Sequence, residues 1–244
     1  MEKDIKIKIS KNVAVYGRFS GSFKKSLFIV VHGLPGHFEE SLPQGSTRWF
    51  AKRGFASFRF NLYGWQNDAR QLVDCTLRTH ANDLDVIVRY FRRRGVRKIF
   101  VAGHSYGGPT VLLSRDQSFD AVVLWDPSYR SSFTKKQYGF PGGKYVKELS
   151  GYFMKWGVNP IIGERMAKEA DALSWDILTR NFHVPLKIIV AEKGVLLPGA
   201  KYYFRTANAP KDFAVMKGAT HYFDDRIGMR ENLFRISEQW FKKF

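Results

Sequence analysis

A serine set among glycines is the feature of this sequence with the clearest chemistry. Ser105 lies in Gly103–Gly108, which reads GHSYGG and directly follows the apolar run Lys98–Ala102. A helix-compatible segment, Pro109–Ser114, comes next. A nucleophilic serine on a sharp strand-to-helix turn takes strained backbone angles, and small residues two positions before and after it prevent clashes. The pattern therefore predicts Ser105 as a nucleophile for acyl transfer.

A second glycine-containing turn follows another apolar run. His32–Gly36, which reads HGLPG, comes directly after Ser26–Val31. Acyl transfer places negative charge on a carbonyl oxygen, and two backbone N–H groups must already point at that oxygen. We expect the N–H of Leu34 to be the first of these oxyanion donors and the N–H of Tyr106 to be the second.

The elements that must position these turns alternate along the chain. Ile5–Ile9 and Val13–Phe19 each alternate apolar and polar residues, which predicts an antiparallel hairpin. The apolar runs that follow show no alternation, which is typical of strands buried on both faces of a parallel sheet. These runs are Ser26–Val31, Ala56–Phe60, Lys98–Ala102, Ala121–Trp125, Leu186–Ala191 and Asp212–Met216. Helical spacing lies between them, in Thr47–Arg53, Ala81–Arg93 and Arg230–Lys243. The order predicts an α/β domain whose doubly wound sheet is mostly parallel and starts with an antiparallel hairpin.

One interval interrupts this alternation. Pro127–Pro185 separates two predicted strands, and a structureless loop of that length is uncommon in a compact domain. Within it, Lys144–Trp156 and Glu164–Leu173 are interpreted as helices. The interval is therefore predicted to be an insertion packed on the domain, with Phe153 and Trp156 as candidate walls of a pocket.

These features resemble the α/β-hydrolases of the serine esterase and lipase superfamily, from about Ser26 to the C-terminus. Phe55–Gly64 resembles the family's fourth strand and the loop after it, and Ala81–Asp85 resembles the start of the helix before the nucleophile strand. The resemblance implies an α/β-hydrolase fold with a core at residues 1–126 and 186–244. It also implies that the insertion at residues 127–185 is a small helical cap.

His221 is the predicted general base among six histidines. It comes just after the last predicted strand, and the resemblance implies the chain order serine, acid, histidine. His221 would take the proton from Ser105 and later deliver it to the leaving group. The other histidines are interpreted as parts of the two turns or as local and surface residues: His32, His37, His80, His104 and His183.

The acid of the triad stays open at this point. The resemblance implies an Asp at the position that Gly194 occupies. Glu192 comes two residues earlier, and its longer side chain would compensate for the shift. Asp126 ends the strand before the insertion, where pancreatic-type lipases carry their acid, also before a proline. Asp126 is the preferred candidate and Glu192 the alternative, while Asp224, Asp225 or no acid at all are the remaining readings.

The composition excludes several classes of protein. Hydrophobic residues are 44% and charged residues 25% of the 244, which argues against a disordered or collagen-like chain. Cys75 is the single cysteine, so no internal disulfide is expected. No window approaches the ~18 apolar residues of a membrane span. Because Met1–Lys11 also lacks the apolar core of a signal peptide, we expect a cytoplasmic protein. Motifs for metals, phosphates and dinucleotides are missing, so no cofactor is expected.

The formal net charge of +18 is spread over both halves of the chain. We therefore expect no specific nucleic-acid partner, whereas peripheral contact with an anionic surface and the oligomeric state stay open. The main hypothesis is a serine hydrolase that cleaves a small-molecule carboxylic ester or lactone through an acyl-enzyme on Ser105. The alternative is a non-catalytic ligand-binding protein on the same fold with a degraded triad acid.

Overall fold

The computed structural model describes residues 2–244; Met1, the first residue of the predicted core, lies outside the described residues. Within this range the chain forms an eight-stranded sheet, a three-stranded sheet and flanking helices. The strands are β1 (Glu2–Ser10), β2 (Val13–Ser20), β3 (Leu27–Val31), β4 (Ala56–Phe60), β5 (Ile99–His104), β6 (Ala121–Trp125), β7 (Lys144–Val146), β8 (Gly151–Phe153), β9 (Ile161–Gly163), β10 (Leu186–Ala191) and β11 (Lys211–Met216). The helices are α1 (Ser41–Lys52), α2 (Leu77–Arg92), α3 (Gly107–Leu112), α4 (Glu164–Ala172), α5 (Leu197–Thr206) and α6 (Met229–Phe241). Each helix in this range is too short or too polar to cross a membrane.

The main sheet has the strand order β1-β2-β4-β3-β5-β6-β10-β11. The predicted N-terminal hairpin is confirmed, because β1 and β2 pair antiparallel with Ile7 opposite Val15. β2 also pairs antiparallel with β4, whereas the pairs from β4 onwards are parallel. Parallel neighbours need crossover connections, which the intervening helices supply.

The parallel strands β3, β4, β5, β6 and β10 are buried on both faces of the sheet, whereas the predicted strand at Asp212–Met216 forms the edge strand β11 and is mostly part-exposed. In β3, Leu27, Ile29 and Val31 pack into one apolar core, while Phe28 and Val30 pack into the other. Helices α2, α3 and α5 contribute to the first core, and α1 and α6 contribute to the second. Strands covered on both sides need apolar residues at consecutive positions, which explains the missing alternation. The predicted mostly parallel α/β architecture is confirmed.

The order of the strands opens a crevice at one edge of the sheet. β3 and β5 are neighbours, but β4 lies beyond β3 and β6 lies beyond β5. The loops that leave the carboxyl ends of β3 and β5 therefore run in opposite directions, and ligands of such sheets bind between them. His32–Gly36 and Gly103–Gly108, the two turns singled out in the sequence, lie at this point.

The insertion at residues 127–185 differs from its prediction. Helix α4 matches the predicted helix at Glu164–Leu173, but the prediction of a helix at Lys144–Trp156 is wrong. That segment instead forms β7, a 3-10 turn and β8, and β8 pairs antiparallel with β9. Aromatic and β-branched residues favour extended chain here. Gly151 also requires close packing, because a β-carbon on it would lie 2.7 Å from the side chain of Ile161.

Candidate active site

The turn between β5 and α3 carries Ser105. Its φ of 54° lies in the left-handed region, which costs a non-glycine residue about 1–3 kcal/mol. The glycines on either side are needed for close packing: a β-carbon on Gly103 would lie 2.6 Å from the carbonyl oxygen of Gly107, and one on Gly107 would lie 2.2 Å from that of Val31. The turn thus has the strained backbone and tight glycine contacts expected from the sequence.

The backbone of Ser105 is fixed, whereas its hydroxyl contacts another serine. The Ser105 N–H donates to the Trp125 carbonyl at 3.0 Å, which ties the ends of β5 and β6 together. Ser105 Oγ lies 3.4 Å from Ser128 Oγ. Among residues 2–244, it forms no hydrogen bond with His221. Hydrogen bonds between nucleophile and base are often long before substrate binds and tighten in the complex.

His221 is bound to a buried carboxylate. Its Nδ1 donates to Oδ2 of Asp126 at 2.6 Å, and the other carboxylate oxygen accepts the Ala191 N–H at 3.1 Å. The Asp126 side chain is fully buried, while a third of the His221 side chain (33%) is exposed. Because Nδ1 carries the donated proton, Nε2 of neutral His221 is left as an acceptor.

The other candidate carboxylates do not reach His221. Within residues 2–244, each binds a different group: Glu192 accepts the Gly218 N–H at 2.8 Å, Asp225 accepts the Thr220 N–H at 2.7 Å, and Asp224 pairs with Arg230 at 2.8 Å. The structure therefore brings Asp126 to the histidine and keeps Glu192 on the surface.

The turn after β3 packs directly on Ser105. A β-carbon on Gly33 would lie 2.8 Å from Cβ of Ser105. Leu34 and Tyr106 line the same pocket as Ser105, and across residues 2–244 neither of their backbone N–H groups donates a hydrogen bond within the chain. Both N–H groups are thus available to an oxygen placed beside Ser105.

Ser105, Asp126 and His221 line a pocket of about 340 Å³, called here the ester pocket after the substrate that is proposed for it. The insertion supplies part of its lining, including Ser131, Lys135, Gln137, Phe140, Met154 and Trp156. Trp156 lines the pocket as expected, but the expectation for Phe153 is wrong and the next residue, Met154, contributes instead. Successive side chains of an extended chain point to opposite sides, which accounts for the difference.

The fold of this chain is similar to those of several solved structures. No protein-family model and no curated protein matches the chain. Solved structures match it over nearly its whole length. Est1E from Butyrivibrio proteoclasticus, with bound ferulic acid, has a TM-score of 0.82 and 17% identity over 98% of both chains. The α/β hydrolase GrgF from a Penicillium species has a TM-score of 0.79 and 16% identity over 100% of this chain and 98% of that one. Dienelactone hydrolase from Anabaena variabilis has a TM-score of 0.71 and 12% identity over 100% and 98%.

The protein has the α/β-hydrolase fold. In this α/β-hydrolase fold, a buried histidine joins the turn after β3 to the loop after β4. His32 Nδ1 donates to the Gly33 carbonyl at 2.8 Å, and its Nε2 accepts the Leu62 N–H at 3.1 Å. Burial lowers the pKa of His32 to about 4, so the ring stays neutral, as the acceptor role of Nε2 requires.

A second buried histidine holds the backbone of the residue that contacts Asp126. His104 Nε2 donates to the carbonyl oxygen of His221 at 2.9 Å. Burial lowers the pKa of His104 well below its ordinary value, so this ring is also neutral. His32 and His104, which were predicted to belong to the two turns, therefore hold the backbone of Gly33 and the backbone of His221, respectively.

Several residues that line this pocket were not predicted from the sequence. Ser128 contacts Ser105, and Ser131, Lys135 and Gln137 line the same pocket. The last three lie in an irregular loop with no motif. Ser128 had a signal, because it follows Asp126 by two residues at the carboxyl end of a strand beside β5.

Proposed function

We propose that the protein is a serine hydrolase that cleaves carboxylic esters or lactones of small molecules. The observation that carries the proposal is the 2.6 Å hydrogen bond from His221 to buried Asp126, in the pocket that holds Ser105. The names of similar solved structures, which include an esterase domain from Rhodothermus marinus and a dienelactone hydrolase, support the choice of ester and lactone substrates.

In the first half of the proposed reaction, Ser105 Oγ attacks the substrate carbonyl carbon and His221 Nε2 takes the serine proton. The negative charge on the carbonyl oxygen is stabilised by the N–H groups of Leu34 and Tyr106. The tetrahedral intermediate then collapses, and the alcohol leaves with the proton from His221. Asp126 holds the histidine tautomer and stabilises the imidazolium that forms between these steps.

In the second half, water attacks the acyl-enzyme while His221 again takes the proton. Collapse of the second intermediate returns the proton to Ser105 and releases the acid. With a lactone, the alcohol stays joined to the acyl group, so one hydroxy acid is released. We also propose residues 127–185 as the cap that encloses the substrate, since they supply many of the residues that line the pocket.

Covalent labelling with a fluorophosphonate, followed by intact mass, tests the proposal without a guess at the substrate. We expect one label per wild-type molecule, none on Ser105→Ala, and retained labelling on Ser128→Ala, the matched neighbouring serine. Unlabelled but folded wild-type protein would instead favour the non-catalytic ligand-binding alternative. That alternative draws its support from the Ser105 hydroxyl, which contacts Ser128 rather than His221.

A further inference from the structure

A second cavity of about 430 Å³, called here the side cavity, shares lining residues with the ester pocket. Four residues of the insertion border both spaces: Ser131, Ser132, Lys135 and Gln137. The backbone of this border is well anchored, because the Gln137 side chain accepts the Ser132 N–H at 2.6 Å. A ligand in the ester pocket thus meets a structured border, with room beyond it.

The border carries a positive charge that is not held in an ion pair among residues 2–244. In the side cavity, Arg130 pairs with Asp176, and a second carboxylate, Asp171, lines the same cavity without forming an ion pair with Lys135. Lys135 lines both cavities, and in the part of the chain that the structure describes it forms no ion pair. The carboxylate in the ester pocket, Asp126, is already bound by His221 and by the backbone. Lys135 is therefore a cation available to a ligand that occupies the ester pocket.

Two neighbouring hydroxyls of the ester pocket are buried. Ser131 is 5% exposed and Tyr106 is 7% exposed, and both line the ester pocket. Among residues 2–244, neither Ser131 Oγ nor the Tyr106 hydroxyl meets the geometry of a hydrogen bond, although Ser131 lies close enough to lower the pKa of Tyr106 against the larger, raising effect of burial. Buried polar groups are normally hydrogen-bonded, so these hydroxyls can pair with each other or, after a small rotation, with a polar group of a ligand.

The remaining lining is largely apolar and includes Leu34, Met154, Trp156 and Leu196. We propose that the substrate is an ester with an apolar body and a carboxylate distant from the scissile bond, bound by the Lys135 ammonium and the Ser131 hydroxyl at the border of the side cavity. The inference rests on the proposed hydrolase function and names its substrate class. An ammonium and a hydroxyl are suitable donors for a carboxylate, which accepts on both oxygens.

The test compares esters that differ in the distal charge. Mono-p-nitrophenyl adipate carries a terminal carboxylate, and p-nitrophenyl heptanoate has a similar length without it. 4-Acetoxybenzoate and 4-acetoxytoluene place the same difference on the alcohol side. We expect wild type to favour the charged member of at least one pair. Lys135→Gln should raise KM for that member about threefold to tenfold more than for the neutral one, with little change in kcat.

Matched variants separate a specific contact from general charge. Lys135→Arg keeps a cation and should keep the preference, whereas Ser131→Ala should weaken it. Lys144→Gln removes a lysine of the insertion that borders neither cavity, and both members of each pair should be unaffected. Equal kinetics for charged and neutral members in wild type, or equal losses in Lys135→Gln, would overturn the inference.

Binding to Ser105→Ala separates this inference from the proposed function. Calorimetric titration with the same four esters needs no turnover. A preference for a charged ester that Lys135→Gln abolishes supports the inference even if fluorophosphonate fails to label the wild type. Labelling of Ser105 together with no charge preference in binding would leave the hydrolase proposal standing and sink the carboxylate-bearing substrate.

Discussion

The α-carbon of Gly194 faces the carboxylate of Asp126: a β-carbon at position 194 would lie 3.2 Å from Oδ2. The family resemblance implies the acid at position 194, after β10, whereas Asp126 follows β6. These strands are paired neighbours, with Ile189 of β10 opposite Trp125 of β6. Side chains from either strand end can therefore reach one place, and the carboxylate there comes from β6.

Removing the charge of Asp126 should abolish most of the activity. We expect Asp126→Asn to lower kcat by about 10³- to 10⁴-fold, because the amide disfavours the histidine tautomer and no longer stabilises the imidazolium. Glu192→Gln is the matched control and should change kcat less than about threefold, since Glu192 is exposed and binds the Gly218 N–H. Steady-state kinetics on a p-nitrophenyl ester gives both values, and the reverse order would assign the acid to Glu192.

Moving the carboxylate between the two strands should restore part of that loss. We expect Asp126→Gly combined with Gly194→Asp to recover about tenfold or more of kcat relative to Asp126→Gly alone, by restoring a carboxylate beside His221. Gly194→Asp by itself should be harmful, because two carboxylates would crowd the same place. A double variant no more active than Asp126→Gly would mean that position 194 cannot direct a carboxylate at His221.

A methyl group on Gly33 should displace Ser105. Its β-carbon would lie 2.8 Å from Cβ of Ser105, so we expect Gly33→Ala to lower kcat/KM about tenfold to a hundredfold through misplacement of the reacting groups. Gly45→Ala is the control, since a β-carbon in this helix would lie 3.7 Å from the Phe234 ring, an ordinary contact. It should keep full activity and gain about 0.5–1 kcal/mol of stability. An unchanged kcat/KM in Gly33→Ala would contradict the tight packing.

Buried His80 should make stability depend on pH. Burial lowers its pKa to about 3, and both of its ring nitrogens lack partners within residues 2–244. The unfolded chain, with an ordinary pKa of about 6.5, binds more protons as the pH falls, so acid favours unfolding. Between about pH 6.5 and about pH 5, the free energy of unfolding should fall by about 1–2 kcal/mol less in His80→Leu than in wild type.

The difference between wild type and variant is the quantity to measure by urea unfolding at each pH. Burial raises the pKa of Asp83 to about 7, and this carboxyl acts in the opposite direction in both proteins. Exposed His183→Gln is the control and should leave the pH dependence of wild type unchanged. A His80→Leu profile parallel to that of wild type would show that His80 can be protonated without unfolding.

The parts of the fold that could be predicted are those whose burial leaves a simple hydrophobic pattern in the sequence. β3 presents Ile29 to one core and Phe28 to the other, and such two-sided burial is readable as a continuous apolar run. Three-residue strands such as β7 and β8 are too short for any period to show. Helix α5 was missed because Pro198 and Gly199 in its first turn look like a loop.

The residues of the candidate site also differ in how far the sequence alone indicates them. Ser105 and Gly33 lie in turns whose glycines are local requirements, so the sequence indicates them directly. The choice between Asp126 and Glu192 depended on which strand ends are adjacent, and this is a property of the whole sheet. Lys135 gave no signal because a lysine in an irregular loop resembles any solvated lysine until the cavities on both sides of it are known.

The site combines two residues that follow central strands with one residue that lies in a loop, and we expect these regions to differ in local stability. Ser105 and Asp126 follow central strands whose amides exchange with solvent only when the sheet opens. His221 instead follows β11, the edge strand, and lies in a loop held by its contacts with Asp126 and His104. We expect opening of that loop to remove the proposed base while the sheet stays intact. Reversible loss of turnover on heating would then precede the melting of the protein, and the working temperature would be set by one surface loop.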